Sequence, residues 1–179
     1  MSSSATTRRQ FTASVLSAAL IAALPVRSTA SIGAQITGGN QMATLSIYLL
    51  FDGNCHRAME FYKSCFGGEL TSVKVKDSPA KDMMPPVQQE KILNAELKSG
   101  NLAISASDWL RLDETRIQGN TVCLYLRGGS YEELKALFEK LSSGADVTDP
   151  FKETFFGFYG ALNDKFGVRW MFAAPKKSA

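Results

Sequence analysis

The sequence predicts an α+β fold of two βαβββ modules that enclose a concave cleft. The first observation is that strand-like alternation and helix-like spacing of apolar residues follow one another as strand, turn, helix, strands. The second is that this order occurs twice, about 75 residues apart. The third is the composition, 45% hydrophobic and 21% charged, which is typical of a chain with a packed core.

The first module begins at Leu45 with the predicted buried strand LSIYLLF. Asn54 is the predicted N-cap of a helix over CHRAMEFYKSCF, which glycines end at Gly67. The strand ELTSVKVK and a proline-containing polar loop, residues 77–90, come next. Two further strands, KILNAELKSG and NLAISASDW, then meet at a Ser-Gly hairpin signal and complete the module.

The second module repeats this order after the connector LRLDETRIQGN. Its first strand, TVCLYLRGG, leads to a capping box in which Ser130 is the N-cap and Glu133 lies three places on. The amphipathic helix YEELKALFEKLSSG ends at Gly144, and FGFYGALND and VRWMFA supply closing strands. Two such units can place their helices outside and face their sheets inward, which leaves a cleft between the halves.

The last strand shows which side chains would face this cleft. Val168, Trp170 and Phe172 lie on one side of the alternation and form the predicted core face. Arg169 and Met171 lie on the other side, so both are expected to face the cleft.

The first thirty residues have the layout of a secretory signal. Arg8 and Arg9 are followed by an uncharged stretch, residues 11–24, and by small residues at 28–30 that suit cleavage. The pattern Thr-Arg-Arg-Gln-Phe resembles a twin-arginine signal, which exports folded proteins. We therefore expect a periplasmic protein, and the apolar stretch is too short for stable membrane insertion after processing.

The predicted organisation has four parts. Residues 1–30 are the twin-arginine-type signal peptide and 31–42 a small, polar linker. Residues 43–174 are the two-module domain, and 175–179 are a polar tail. Because the domain pattern starts directly after Met42, a product translated from that methionine would be cytoplasmic.

Charge and cysteine usage exclude several classes of function. Without Arg8, Arg9 and Arg27, basic and acidic residues are equal in number at 17 each, so the excess of basic charge that nucleic-acid binding needs is missing. The three cysteines show no CxxC spacing, and His56 is the single histidine, which predicts neither a metal site nor a bound cofactor.

Polar and aromatic residues on the strands are the candidates for ligand binding. Ser105 and Ser107 alternate with apolar residues and are expected to face the cleft, where they either orient a ligand or hydrogen-bond across the sheet. Tyr125, Tyr159 and Arg169 suit a pocket wall with a cation for an anionic group. The alternative is a packed aromatic core with surface arginines.

Four stretches resemble a known family: YLLFDGNCHRAMEFYKSCFGGEL, ISASD, NTVCLYLRGGSYEELKALFEKL and GALNDKFGVRWMF. They are similar to the PhnB-like branch of the glyoxalase/bleomycin-resistance superfamily, also called vicinal oxygen chelate, from about Leu45 to Phe172. The resemblance implies paired βαβββ modules and a homodimer. Some PhnB-like sequences are described as demethylubiquinone methyltransferases, but no glycine-rich nucleotide loop follows a predicted strand here.

The resemblance also implies where a metal would bind. In metal-dependent relatives, four inward His, Glu or Gln side chains hold the ion. Their positions fall here at Ile47, at or near Ser105, at Val122 or Cys123, and at Met171, and none of these is a carboxylate or a histidine. Cys123 and Met171 suit a soft ion or, more simply, core packing. The predicted ligand-binding set is Ile47, Ser105, Ser107, Cys123, Tyr125, Tyr159, Arg169 and Met171.

These expectations lead to three hypotheses about function. The first is a metal-free homodimer that binds a small molecule in the cleft between its modules. The second is a glyoxalase- or dioxygenase-type metal-dependent enzyme, a lyase or oxidoreductase, with unrecognised ligands. The third is an interaction module whose dimer surface is its purpose. Metal content of the purified protein separates the first two.

Overall fold

Two modules with the same order of elements make up residues 45–176, the part of the chain that the computed structural model describes. The helices are α1 (Cys55–Phe66) and α2 (Tyr131–Leu141). The strands are β1 (Ile47–Phe51), β2 (Glu69–Lys74), β3 (Ile92–Ser99), β4 (Leu102–Asp108), β5 (Leu124–Arg127), β6 (Asp146–Thr154), β7 (Gly157–Asn163) and β8 (Arg169–Ala174). The loop between β2 and β3 contains short 3-10 helices at Val75–Asp77, Lys81–Met83 and Pro86–Gln88.

The predicted signal peptide, residues 1–30, and the linker, residues 31–42, lie outside the described residues, as does most of the polar tail. Among the residues that are described, no helix combines the length and the apolar character needed to cross a membrane.

The two sheets share one topology. Their strand orders are β1-β4-β3-β2 and β5-β8-β7-β6. In each sheet the first strand of the module pairs in parallel with the last strand, and the other pairs are antiparallel. A parallel pair needs a long crossover connection, and the helix together with the intervening strands supplies it. This equivalence confirms the two βαβββ modules predicted from the repeat.

One hydrophobic core joins the modules through their helices. Trp170 and Phe172 of β8 are buried, as expected from the alternation of the last strand. The ring of Trp170 lies 5.6 Å from that of Tyr62 and 5.5 Å from that of Phe66, both on α1. Since α1 also packs on its own sheet, it lies between the two sheets. Helix α1 is therefore inside, whereas the sequence suggested an arrangement with both helices outside.

Each sheet consequently has an open face on the side away from the helices. In the first module, β1 pairs with β4 so that Tyr48 lies opposite Ser105 and Leu50 lies opposite Ser107. Residues directly opposite each other on neighbouring strands point to the same face. Glu96 of β3 also lies opposite Ser105. Tyr48 is 51% exposed and Leu50 is 43% exposed, so this face has apolar area in contact with solvent.

The start of α1 is held by a side chain from another strand. Asn54 occupies the predicted N-cap position, but its side chain makes no capping hydrogen bond. Instead one carboxylate oxygen of Asp108, at the end of β4, accepts from the backbone N–H of Cys55 at 2.9 Å. Its other oxygen accepts from the backbone N–H of Ile92 at 2.8 Å. A buried carboxylate thereby joins α1, β3 and β4.

The start of α2 follows local chemistry. The hydroxyl of Ser130 accepts from the backbone N–H of Glu133 at 3.1 Å, which confirms the predicted N-cap. The helix ends at Leu141, and Gly144 has a φ of 76°, a left-handed conformation that suits glycine after a helix end.

A second buried carboxylate, that of Asp164, accepts four hydrogen bonds. One oxygen accepts from the backbone N–H groups of Phe166 at 2.9 Å and Val168 at 3.0 Å, which closes the turn before β8. The other accepts from the hydroxyl of Tyr62 at 2.7 Å and the indole N–H of Trp170 at 2.8 Å. Because Tyr62 belongs to the first module, Asp164 links the two modules inside the core.

Candidate functional site

The open face of the second module brings together most of the predicted site residues. Tyr125 of β5 lies opposite Met171 of β8, and Tyr159 of β7 lies opposite Ala173. Arg169, Met171 and Ala173 alternate along β8, so all five side chains share this face. Arg169 and Met171 lie on the side of β8 opposite the buried Trp170 and Phe172, as the alternation predicts, and the two tyrosines lie on the same side. In one chain this side is an open face and not the wall of a cleft between two sheets.

Cys123 directly precedes β5, and its thiol interacts electrostatically with the side chains of Arg169 and Tyr159. Burial raises the pKa of the Cys123 thiol, and the neighbouring Arg169 guanidinium opposes that rise in part. Burial also raises the pKa of Tyr159, and the Asp149 carboxylate adds to the rise. At neutral pH both groups therefore stay protonated and act as hydrogen-bonding groups rather than as nucleophiles.

The first module contributes its candidates to a different open face. Ser105 and Ser107 lie on the side away from α1, as expected, and Ser107 is buried. Ile47 pairs with Ile104 and packs against the core, so it faces the helices and not the predicted cleft. Tyr48 occupies the open face in its place. The register between β1 and β4 determines which of the two side chains lies on the open face, because a shift of one residue moves every side chain of a strand to the opposite face of the sheet.

A concave pocket lies where the two modules meet, with a volume of about 390 Å³. Its polar lining includes Arg116 and Gln118 of the connector and Arg169 of β8. The side-chain amide of Gln118 donates to the backbone carbonyl of Gly167 at 2.5 Å, which holds the connector against the turn before β8. Its apolar lining includes Leu49, Leu50, Val122, Leu124 and Phe166.

The sequence did not indicate Arg116 or Gln118. The connector LRLDETRIQGN mixes charged and apolar residues and shows neither a helical nor a sustained strand period. Only the hydrogen bond from Gln118 to Gly167 shows that the connector lies beside Arg169. The one available signal is a pair of arginines, Arg111 and Arg116, in a segment too polar for core packing.

The donor atoms present do not suit the metal centre of metal-dependent relatives. The positions that the resemblance implies hold the hydrocarbon of Ile47, the hydroxyl of Ser105 or a neighbour, the side chain of Val122 or the thiol of Cys123, and the thioether of Met171. Of these, Ile47 faces the helices. Divalent ions of the Zn, Ni, Fe or Mn type favour imidazole or carboxylate ligands. Among residues 45–176, no three His, Cys, Asp or Glu side chains are grouped so that they could hold a metal ion.

The two helix cysteines are structural. Cys55 and Cys65 are buried on α1 and free. Burial, with a smaller contribution from the Asp108 carboxylate, raises the pKa of Cys55 to about 12. A thiol in such surroundings stays neutral and packs as a small apolar side chain. His56, which follows Cys55, is exposed on the first turn of α1.

Comparisons with known proteins agree with this architecture. A family model described as 3-demethylubiquinone-9 3-methyltransferase matches residues 43–173. Protein YjdN from Escherichia coli K12 is 29% identical over 146 residues, which cover 74% of this chain and 96% of that protein.

Solved structures show the same fold. Protein PA1353 from Pseudomonas aeruginosa is 30% identical with a TM-score of 0.65, over 75% of this chain and all of that chain. A PhnB protein from Bacillus cereus is 22% identical with a TM-score of 0.58, over 74% of this chain and 99% of that one. Given the paired βαβββ modules and these matches, the chain has the fold of the glyoxalase/bleomycin-resistance proteins and belongs to the PhnB-like family whose model is described as 3-demethylubiquinone-9 3-methyltransferase.

Proposed function

We propose that this protein binds a small molecule, without a metal ion, in the cleft between its modules. The observation that carries the proposal is the open face of the second module, which Tyr125, Tyr159 and Met171 share with the cation of Arg169. Aromatic and apolar walls with a few polar groups are typical of small-ligand sites. The pocket between the modules continues this wall, because Arg169 lines both.

Two catalytic alternatives have less support from the residues. A metal-dependent glyoxalase or dioxygenase would need hard donor atoms where this chain has Ile47, Ser105, Cys123 and Met171. The family description names a methyl transfer. The strand-to-helix turns at residues 52–54 and 128–130 contain at most two glycines, unlike a glycine-rich nucleotide loop.

Native mass spectrometry of the protein purified from its own host tests the proposal. We expect a non-covalent small-molecule adduct that is lost on denaturation, and elemental analysis without stoichiometric metal. Replacing Tyr159 with alanine should lower the occupied fraction about tenfold, since an aromatic wall contributes on the order of 1–2 kcal/mol. The matched control is Phe155→Ala, because Phe155 is an exposed aromatic at the turn between β6 and β7. Stoichiometric Zn, Ni, Fe or Mn, or equal occupancy in both variants, would contradict the proposal.

We also propose that a second copy of the chain covers the open faces. The face of the first module exposes Tyr48, Leu50 and Val73, and the face of the second module exposes Tyr125. The two sheets have the same topology, so a two-fold axis lets the first module of each copy face the second module of the other. Such pairing would turn the four open faces of the two copies into two closed clefts.

Light scattering after size-exclusion chromatography measures this assembly. We expect a dimer at micromolar concentration and a shift toward monomer for Leu50→Lys, because a charge on the covered face has no partner. Leu112→Lys is the control, since Leu112 lies in the connector and is also exposed. A monomeric parent protein, or equal behaviour of the two variants, would refute the assembly.

A further inference from the structure

We infer that the ligand of this protein carries an anionic group, such as a carboxylate, sulfonate or phosphoryl group, which Arg116 and Arg169 bind in the pocket between the modules. This inference rests on the proposed binding function and specifies the chemical class of its ligand. Three observations support it: the two guanidinium groups form no ion pair among the described residues, the polar part of the pocket is positively charged, and the rest of the pocket wall is apolar.

Arg116 has a buried donor that lacks a partner. Its Nε–H is inaccessible to solvent and makes no hydrogen bond, the one such side-chain nitrogen or oxygen among the described residues. Its Nη2 donates to the side-chain oxygen of Gln118 at 3.1 Å, so the group is held in place rather than free to turn to solvent. A buried N–H without an acceptor is destabilising, so a small shift of the guanidinium that brings this N–H to a ligand oxygen in the pocket would remove that cost.

Arg169 supplies a second cation on the same pocket. Within residues 45–176, no carboxylate lies within ion-pair distance of Arg169 or of Arg116, although six other ion pairs are present. On the open face, the half-buried Cys123 is a neighbour of Arg169. Two arginines without counter-ions in one concave site are the arrangement that recognises a planar or tetrahedral oxyanion.

The acidic residue of the pocket lining does not neutralise these cations. Glu114 lines the pocket, but its carboxylate forms an ion pair with Arg111, which lies outside the lining. The polar part of the pocket is therefore positive. Among its uncharged polar side chains, that of Gln118 is hydrogen-bonded to Gly167 and Arg116.

The apolar part of the pocket indicates the rest of the ligand. Leu50 of β1 and Leu124 of β5 line it from the two modules, and Phe166 adds an aromatic ring. A volume of about 390 Å³ fits within the usual range of small-molecule sites. The expected ligand is thus a small amphiphilic anion with a charged head at the arginines and an apolar body at the leucines.

Two fluorescent probes with nearly the same body test this inference. 8-Anilinonaphthalene-1-sulfonate has an apolar body and a sulfonate, and N-phenyl-1-naphthylamine has the same body without the sulfonate. In fluorescence titrations of the purified protein, we expect the sulfonate probe to bind at least about tenfold more tightly, since charge-assisted hydrogen bonds are strong. Its affinity should fall with added salt, whereas that of the neutral probe should not.

Variants assign the effect to the two arginines. Arg116→Gln and Arg169→Gln should each weaken the sulfonate probe about tenfold and leave the neutral probe unchanged. Arg57→Gln is the matched control, because Arg57 is exposed on α1 and lines neither pocket. Arg116→Met should unfold at no lower urea concentration than the parent protein, since it removes a buried donor without an acceptor. This last result distinguishes a binding role from a structural one.

The possible failures are distinguishable. If both probes bind equally and the arginine variants change neither affinity, the anionic class is wrong and the binding function stands. If neither probe binds, the pocket is not a binding site, and the inference falls together with the proposed function. A marked loss of stability in Arg116→Met would show that Arg116 is structural and would overturn its role in binding.

Discussion

Replacing Asp164 with asparagine is expected to lower the free energy of unfolding by about 3–5 kcal/mol. The carboxylate of Asp164 accepts four hydrogen bonds, of which those from Tyr62 and Trp170 are buried and those from the backbone of Phe166 and Val168 are partly buried. An amide has a single acceptor oxygen, so its NH2 group would face two of these donors at close range. Because Tyr62 comes from the other module, the loss should loosen the core that joins them.

Urea unfolding followed by tryptophan fluorescence, at one fixed protein concentration, measures this effect. Tyr62→Phe removes one of the four donors and should cost about 1–2 kcal/mol. Asp52→Asn changes an exposed carboxylate and should stay within about 0.5 kcal/mol of the parent protein. An Asp164→Asn variant no less stable than Tyr62→Phe would show that the network does not depend on the carboxylate.

Replacing Asp108 with alanine is expected to cost about 2–4 kcal/mol, because it leaves two buried donors without an acceptor. These donors are the backbone N–H groups of Cys55 and Ile92, at the starts of α1 and β3. Asp108 itself is 3% exposed, so water cannot readily replace its oxygens. The same urea titration measures the loss.

Asn54→Ala is the matched comparison for Asp108. It alters the residue that local sequence rules name as the cap but that makes no side-chain capping bond. We expect a change within about 0.5 kcal/mol. If Asn54→Ala costs as much as Asp108→Ala, then the cap on α1 is local after all and the account of Asp108 is wrong.

The two helix starts show why some of the fold could be predicted and some could not. Ser130 and Glu133 are three residues apart, so their hydrogen bond depends on local geometry, which sequence rules describe. The partner of Cys55 is 53 residues away. It becomes a neighbour only when β1 and β4 pair, and no local pattern contains that information.

The orientation of strands follows the same division. In β8 the aromatic residues Trp170 and Phe172 alternate with Arg169 and Met171, so the face on which each side chain lies could be predicted. In β1 the sequence IYLLF is apolar throughout and has no alternation to interpret. The register with β4 decides that Tyr48, and not Ile47, lies on the open face.

The order of residues determined the two βαβββ modules, their repeat and the two faces of the last strand. These properties depend on periodicity and residue type, which are local. The lack of His and carboxylate side chains at the metal positions was predicted through the family resemblance. The linkage of the modules by Asp164, the open faces of both sheets and the meeting of Arg116 with Arg169 depend on contacts between distant segments. Such contacts depend on how the whole chain packs, and local sequence patterns do not contain that information. Only the tertiary structure therefore determined them.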